Sequence, residues 1–129
     1  MDKILVEVSV GELLDKISIL DIKKDKIKNK DNLVFIQKEY NILKLEYDNK
    51  VKSDEKLSML YENLKKINSK LWIIEDDKRQ CEKDKNFGEK FVKLSRDVHF
   101  LNDDRAKIKL EINNHTGSII KEIKEYTSY

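Results

Sequence analysis

The sequence of 129 residues has no proline, only three glycines and a single cysteine. Without proline, few positions force a helix to end, so long helices are allowed and the glycines mark boundaries. The lone Cys81 excludes an intramolecular disulfide and a cysteine-based zinc site. The longest apolar runs, such as Leu71–Ile74, are much shorter than the roughly 20 residues of a membrane-spanning helix. We therefore expect no membrane insertion.

Charge of either sign is abundant, but the two signs nearly balance. The chain has 27 lysines and arginines against 25 acids, interleaved along its length, for a net charge of +2. No basic block indicates a nucleic-acid partner. The first residues include Asp2 and lack the hydrophobic stretch of a signal peptide. These features predict a cytoplasmic protein.

Apolar residues that recur at steps of three and four predict four amphipathic helices. Ser9 and Glu12 have the spacing of a capping box, which predicts that helix 1 begins there. Helix 1 ends near residues 28–32, and helix 2 begins at Asp31 or Asn32. The inward stripe predicted for helix 2 contains Leu33, Ile36, Tyr40, Leu43 and Tyr47.

The second half of the sequence predicts two longer helices. Ser53 or Asp54 is predicted to cap helix 3, whose regularly spaced apolar residues continue to about Lys83. A turn follows, in which the spacing of Asn86 and Glu89 repeats the capping pattern, and helix 4 then runs until Gly117 stops it. The tail through Tyr126 is predicted as a short helix, although its alternating pattern also fits a strand.

The predicted fold is all-α: an antiparallel bundle of four amphipathic helices with a short C-terminal tail helix, forming one domain over residues 1–129. The apolar spacing favours coiled-coil-like crossings. Helix 3 is long for so small a domain, and its stripe extends beyond what one chain can easily cover. We therefore expect a homodimer.

Two charged stretches, "LWIIEDDKR" (71–79) and "FLNDDRAKIK" (100–109), place acids and an arginine directly beside apolar stripes. Helices 3 and 4 are joined by a turn, so residues equidistant from it should face each other. The resulting polar cluster is either a salt-bridge network that sets helix register or a ligand-binding site, and both readings remain open. Its candidate members are Glu75, Asp76, Arg79, Arg96, Asn102, Asp103 and Arg105.

Arg105 is the one charge within the apolar stripe of helix 4. A buried guanidinium needs a carboxylate, since an unpaired one costs several kcal/mol. The adjacent Asp103 and Asp104 point elsewhere on the helix. The partner should therefore come from another helix, and the candidates are Glu75, Asp76 and Asp21.

Metal and catalytic motifs are missing. Helical di-metal sites repeat Glu-x-x-His or similar pairs, and no such repeat is present. Neither a nucleophile motif nor a glycine-rich phosphate loop occurs. We expect no metal and no cofactor, and the residues do not indicate an enzyme.

Four stretches carry a resemblance to a known family. The chain resembles a family of small, functionally uncharacterised bacterial and phage proteins, often encoded near glycosyltransferase and surface-polysaccharide genes. The resemblance implies an all-helical fold and no known activity. The resulting hypothesis is an accessory factor that acts through a protein partner, with surface-polysaccharide or glycan assembly as the implied setting. The alternative is an enzyme or binder of a small anionic metabolite. The stretches, in chain order, are "VSVGELLDKISILDIKKDKI", "LWIIEDDKRQCE", "LSRDVHFLNDDRAKIKLEIN" and "GSIIKEIKEY".

Overall fold

A computed structural model describes all 129 residues and contains four α-helices and no strand. The predicted all-helical fold class is confirmed. No helix has both the length and the apolar character that a bilayer crossing requires. The helices are α1 (Val10–Lys26), α2 (Lys30–Lys50), α3 (Glu55–Lys83) and α4 (Glu89–Thr116).

Local side-chain caps set several of the helix ends, as the sequence predicted. The Ser9 hydroxyl accepts a hydrogen bond from the backbone N–H of Glu12 at 3.0 Å, so α1 begins there. The Asp54 carboxylate accepts from the N–H of Leu57 at 2.8 Å and caps α3 in the same way. Gly117, with a φ of 68°, ends α4 in the left-handed conformation that glycine adopts without strain.

Other predicted boundaries were wrong. Asn29, not Asp31 or Asn32, caps α2, because its side chain accepts from the N–H of Asn32 at 3.0 Å. The N-cap of α4 is Gly88, which has no capping side chain, and Asn86 instead accepts from the N–H of Gly88 at 3.2 Å.

The C-terminal tail, residues 118–129, forms neither the predicted short helix nor a strand. Short helices need tertiary packing to offset the cost of nucleation. Ile119 and Ile123 of the tail are largely exposed and find no such packing. Polar contacts fasten the tail to α4 instead, through Glu122 on Lys109 and a hydrogen bond from the hydroxyl of Tyr129 to Asp103.

The helix α1 is the centre of the structure. Helices α3 and α4 form a closely packed hairpin, and α1 packs on both of them. The backbone of α2 approaches closely only that of α1. The hydrophobic core lies where the elements meet and consists of Leu13, Leu14, Ile17, Tyr47, Leu57, Leu60, Leu64 and Ile112.

The apolar stripe of α3 is largely covered within one chain. Leu57, Leu60, Leu64 and Leu71 are buried, and so is Cys81 near the end of the helix. The length of this stripe therefore does not by itself call for a second copy.

Candidate functional site

A cluster of charged and polar side chains is enclosed where α1, α3 and α4 meet. At its centre, the Asp15 carboxylate is only 2% exposed. It accepts hydrogen bonds from Nε of Arg105 at 3.0 Å, from Nη2 of Arg105 at 2.5 Å and from Nδ2 of Asn68 at 2.8 Å. The partner of Arg105 does come from another helix, but it is none of the three acids predicted. Among those, Asp21 accepts from the hydroxyl of Tyr61 at 2.6 Å.

Lys109 is the second cation of this cluster. Its Nζ atom lies 2.7 Å from a carboxylate oxygen of Glu12 and 3.0 Å from one of Glu122, with Asp15 at 3.8 Å. Glu12 thus pairs with α4 and does not complete the capping box at the start of α1. Every charge in the cluster faces at least one charge of opposite sign.

A polar stripe on α1 builds this cluster and could have been found from spacing. Gly11, Asp15 and Ser18 follow each other at steps of four and three, which places them on one helical face. The Ser18 hydroxyl donates to the backbone oxygen of Asp15 at 2.8 Å and accepts from Asn68 at 2.8 Å. Asn68 itself lies at helical spacing between Leu64 and Leu71. Polar residues at the same helical spacing as core residues were the signal in the sequence, and they were not among the predicted site residues.

The first turn of α1 is held against the end of α4. The N–H of Gly11 donates to Oδ1 of Asn113 at 2.7 Å, and the N–H of Val10 donates to the hydroxyl of Ser118 at 3.2 Å. A Cβ atom at position 11 would lie 2.5 Å from the backbone oxygen of Lys109, so only glycine allows this approach. The free N–H groups of this helix end are thus taken up by the chain itself.

Both the carboxylate of Asp15 and the amine of Lys109 are stabilised in their charged forms. Burial alone would raise the pKa of Asp15, but hydrogen bonds from Arg105 and Asn68 outweigh it and the pKa is lowered. Burial would lower the pKa of Lys109, but hydrogen bonds to Glu12 and Glu122 raise it. Groups held ionised in closed pairs are poorly suited to exchanging protons with a substrate.

The structure brings four of the seven predicted site residues together. Glu75, Asp76, Arg79 and Arg105 line one open groove of about 320 Å³, beside Trp72. The Arg79 guanidinium lies 2.9 Å from the carboxylate of Glu75. Both arginines of this groove are therefore paired with carboxylates.

The other three predicted residues lie outside the groove lining. Arg96 lines a separate shallow surface groove and lies 6.0 Å from the ring of Phe100. Asp103 accepts from Tyr129 of the tail. Asn102 is the nearest to the groove, with Oδ1 at 3.5 Å from Nη1 of Arg105.

No group of three or more histidine, cysteine, aspartate or glutamate side chains is placed to hold a metal ion. A smaller cleft of about 210 Å³ lies between α1, α2 and α3 and is lined by Tyr40, Tyr47 and Tyr61. Burial and the hydrogen bond to Asp21 raise the pKa of Tyr61. This phenol stays protonated and ties α3 to α1.

The outward face of α2, defined by Val34, Phe35, Ile42 and Leu45, is a stripe of exposed apolar side chains. These side chains are 68%, 72%, 58% and 61% exposed, respectively. Only the inward stripe of helix 2 was predicted from the sequence. This second, outward stripe was not predicted. Contiguous exposed apolar residues on one face of a helix are typical of interaction surfaces.

These features define a small all-helical protein with a closed interior charge cluster and an uncovered apolar helix face. The chain belongs to a family of unknown function (DUF6165), which matches residues 4–129. Comparisons with curated proteins and with solved structures found no match.

Proposed function

We propose that this protein is a non-enzymatic interaction or accessory factor that binds a protein partner through the outward face of α2. The observation that carries the proposal is that α2 is apolar on two sides. Its inward stripe packs on α1, while Val34, Phe35, Ile42 and Leu45 have no cover. An amphipathic helix normally has one apolar stripe, which faces its own core, so a partner should cover a second one.

The interior charge cluster supports a structural role over the alternative of an anionic-metabolite site. An anion site needs cations that are free to meet the ligand. Arg105 is paired with Asp15, and Arg79 is paired with Glu75. An anion at the groove would compete with these carboxylates for the guanidinium groups, and displacing Asp15 from Arg105 would strand a buried carboxylate.

We place this single domain of residues 1–129 in the cytoplasm and in surface-polysaccharide or glycan assembly. The balanced charge supports the location. The setting rests on the sequence resemblance alone.

The experiment is site-specific photocrosslinking in living cells. A photoreactive amino acid replaces Ile42 on α2, and the matched control replaces Ile73, an exposed apolar residue of α3 at 52% exposure. We expect protein adducts of higher mass from position 42 and far fewer from position 73. Absence of adducts from position 42 would contradict the proposal.

A further inference from the structure

We propose that the partner covering the outward face of α2 is a second copy of the same chain, with the two α2 helices paired antiparallel. This inference rests on the proposed function, because it names the occupant of that same surface. Four observations carry it: the heptad spacing of the face, its charge pattern, the lack of internal partners for two charges, and the helix length.

The outward face has the spacing of a coiled-coil seam. Three of its apolar residues, Phe35, Ile42 and Leu45, follow each other at steps of seven and three, which fits the 3.5-residue repeat that keeps a seam facing a partner helix. At 21 residues, α2 is about 31 Å long and presents nearly three heptads. The seam consists of Asp31, Phe35, Lys38, Ile42, Leu45 and Asn49.

The charges on this seam select the antiparallel orientation. A parallel pair would place Lys38 against the partner's Lys38, and the same repulsion would arise at Asp31. An antiparallel pair centred near Tyr40 places Phe35 against the partner's Leu45. It also places Lys38 against the partner's Ile42 and Asp31 against the partner's Asn49. Phe35 then meets Leu45, Ile42 packs on the aliphatic stem of Lys38, and no like charges face each other along the seam.

Two charges at the centre of the face lack ion-pair partners within the chain. Lys38 and Glu39 form no internal salt bridge, whereas Lys44 pairs with Asp48 at 2.6 Å. In the antiparallel pair, Lys38 lies beside the partner's Glu39. The two-fold axis repeats this contact, so four charges of alternating sign surround the axis.

This self-complementarity favours a second copy over an unrelated helix. A two-fold contact uses the same patch twice, so the patch must supply both members of every pair. The face of α2 does so for Phe35 with Leu45, for the stem of Lys38 with Ile42, and for the central charges Lys38 and Glu39. Three heptads form a modest interface, and we expect association in the micromolar range.

Sedimentation equilibrium of the full chain tests the proposal. We expect a species of twice the 15.4 kDa chain mass at micromolar concentrations. Leu45→Glu should raise the dissociation constant by roughly 30-fold or more, because it places a charge in the seam. The matched control is Met59→Glu on α3, at a side chain 56% exposed, which should leave the dissociation constant unchanged. Circular dichroism of each variant checks that the helices are intact.

A charge exchange tests the register and is specific to a two-fold contact. Lys38→Glu alone and Glu39→Lys alone should each weaken the dimer by several-fold, because each places like charges around the axis. The double variant Lys38→Glu/Glu39→Lys should restore the wild-type dissociation constant.

The remaining outcomes decide against the proposal in distinct ways. A wild-type monomer up to about 100 µM overturns it, while the proposed function survives if position 42 still crosslinks to a different protein in cells. A dimer that survives Leu45→Glu places the interface elsewhere and also overturns it. Failure of the double variant to restore association refutes the antiparallel register.

Discussion

Removing the guanidinium of Arg105 probes the closed charge cluster most directly. Arg105 supplies two of the three side-chain hydrogen bonds that the Asp15 carboxylate accepts, at 3.0 and 2.5 Å. In Arg105→Ala, Asp15 keeps the bond from Asn68 at 2.8 Å and remains enclosed by α1, α3 and α4. The variant therefore strands a buried negative charge.

The magnitude follows from the surroundings of that carboxylate. Breaking a buried ion pair costs about 3–5 kcal/mol. Two features place this pair at the lower end: the Nζ atom of Lys109 lies 3.8 Å from Asp15, and the Arg105 side chain is 28% exposed, so water can enter the vacated space. We expect a loss of about 3 kcal/mol, which lowers the unfolding midpoint by roughly 10 °C for a domain of this size.

Urea and thermal unfolding followed by circular dichroism measure this loss. The matched control is Arg79→Ala, which removes an arginine bonded to Glu75 at 2.9 Å but 72% exposed, and should cost about 0.5 kcal/mol or less. Arg105→Met combined with Asp15→Asn should recover much of the loss, because no buried charge is left unpaired.

The reasoning is refuted if Arg105→Ala costs no more than Arg79→Ala. If Arg105→Met alone is more stable than the wild type, the guanidinium is retained for another purpose. An anionic ligand at the groove would then become the leading interpretation.

Three further predictions test the first turn of α1 and the ionisation of the cluster. Ser9→Ala should cost about 1 kcal/mol in urea unfolding, because it removes the capping acceptor, and an unchanged midpoint would contradict this. Alanine normally stabilises a helix relative to glycine by about 1 kcal/mol. Gly11→Ala should nevertheless destabilise the fold by about 2 kcal/mol, since its Cβ would lie 2.5 Å from the backbone oxygen of Lys109. Gly88→Ala, whose Cβ meets nothing closer than 3.5 Å, is the steric control and should cost clearly less, limited to the preference of an N-cap for glycine over alanine. Because the pKa of Asp15 is lowered by folding, its contribution is present above the unfolded value near 4 and disappears as pH falls through the folded value. Acid unfolding of Asp15→Asn should accordingly begin from lower stability and depend less steeply on pH, and an unchanged pH dependence would contradict this.

The starts of α1 and α3 and the C-terminal end of α4 were predictable because each depends on neighbouring residues. Ser9 and Asp54 bond to backbone groups three residues away, and Gly117 adopts a conformation that glycine allows at any such position. These interactions operate within one turn, so sequence spacing alone identifies them. The tail was mispredicted because its pattern fits a helix, while its Ile119 and Ile123 stay exposed and give no burial that would stabilise one.

The partner of Arg105 was not predictable in the same way. Because a short turn joins α3 to α4, residues equidistant from that turn were expected to face each other. This expectation made Glu75 and Asp76 candidates. Asp15 lies 90 residues from Arg105 in sequence and reaches it only because α1 packs across the hairpin. No local sequence pattern predicts the position of α1 relative to the hairpin of α3 and α4.

The amino-acid sequence by itself determined four amphipathic helices and most of their ends, because periodicity and capping act between residues a turn apart. Only the tertiary structure decided which charges meet and which apolar face stays uncovered. Both stripes of α2 have helical spacing in the sequence, yet only the one containing Tyr47 is buried against its neighbours. Burial depends on where the other helices lie, and that placement is set jointly by the packing of the whole chain.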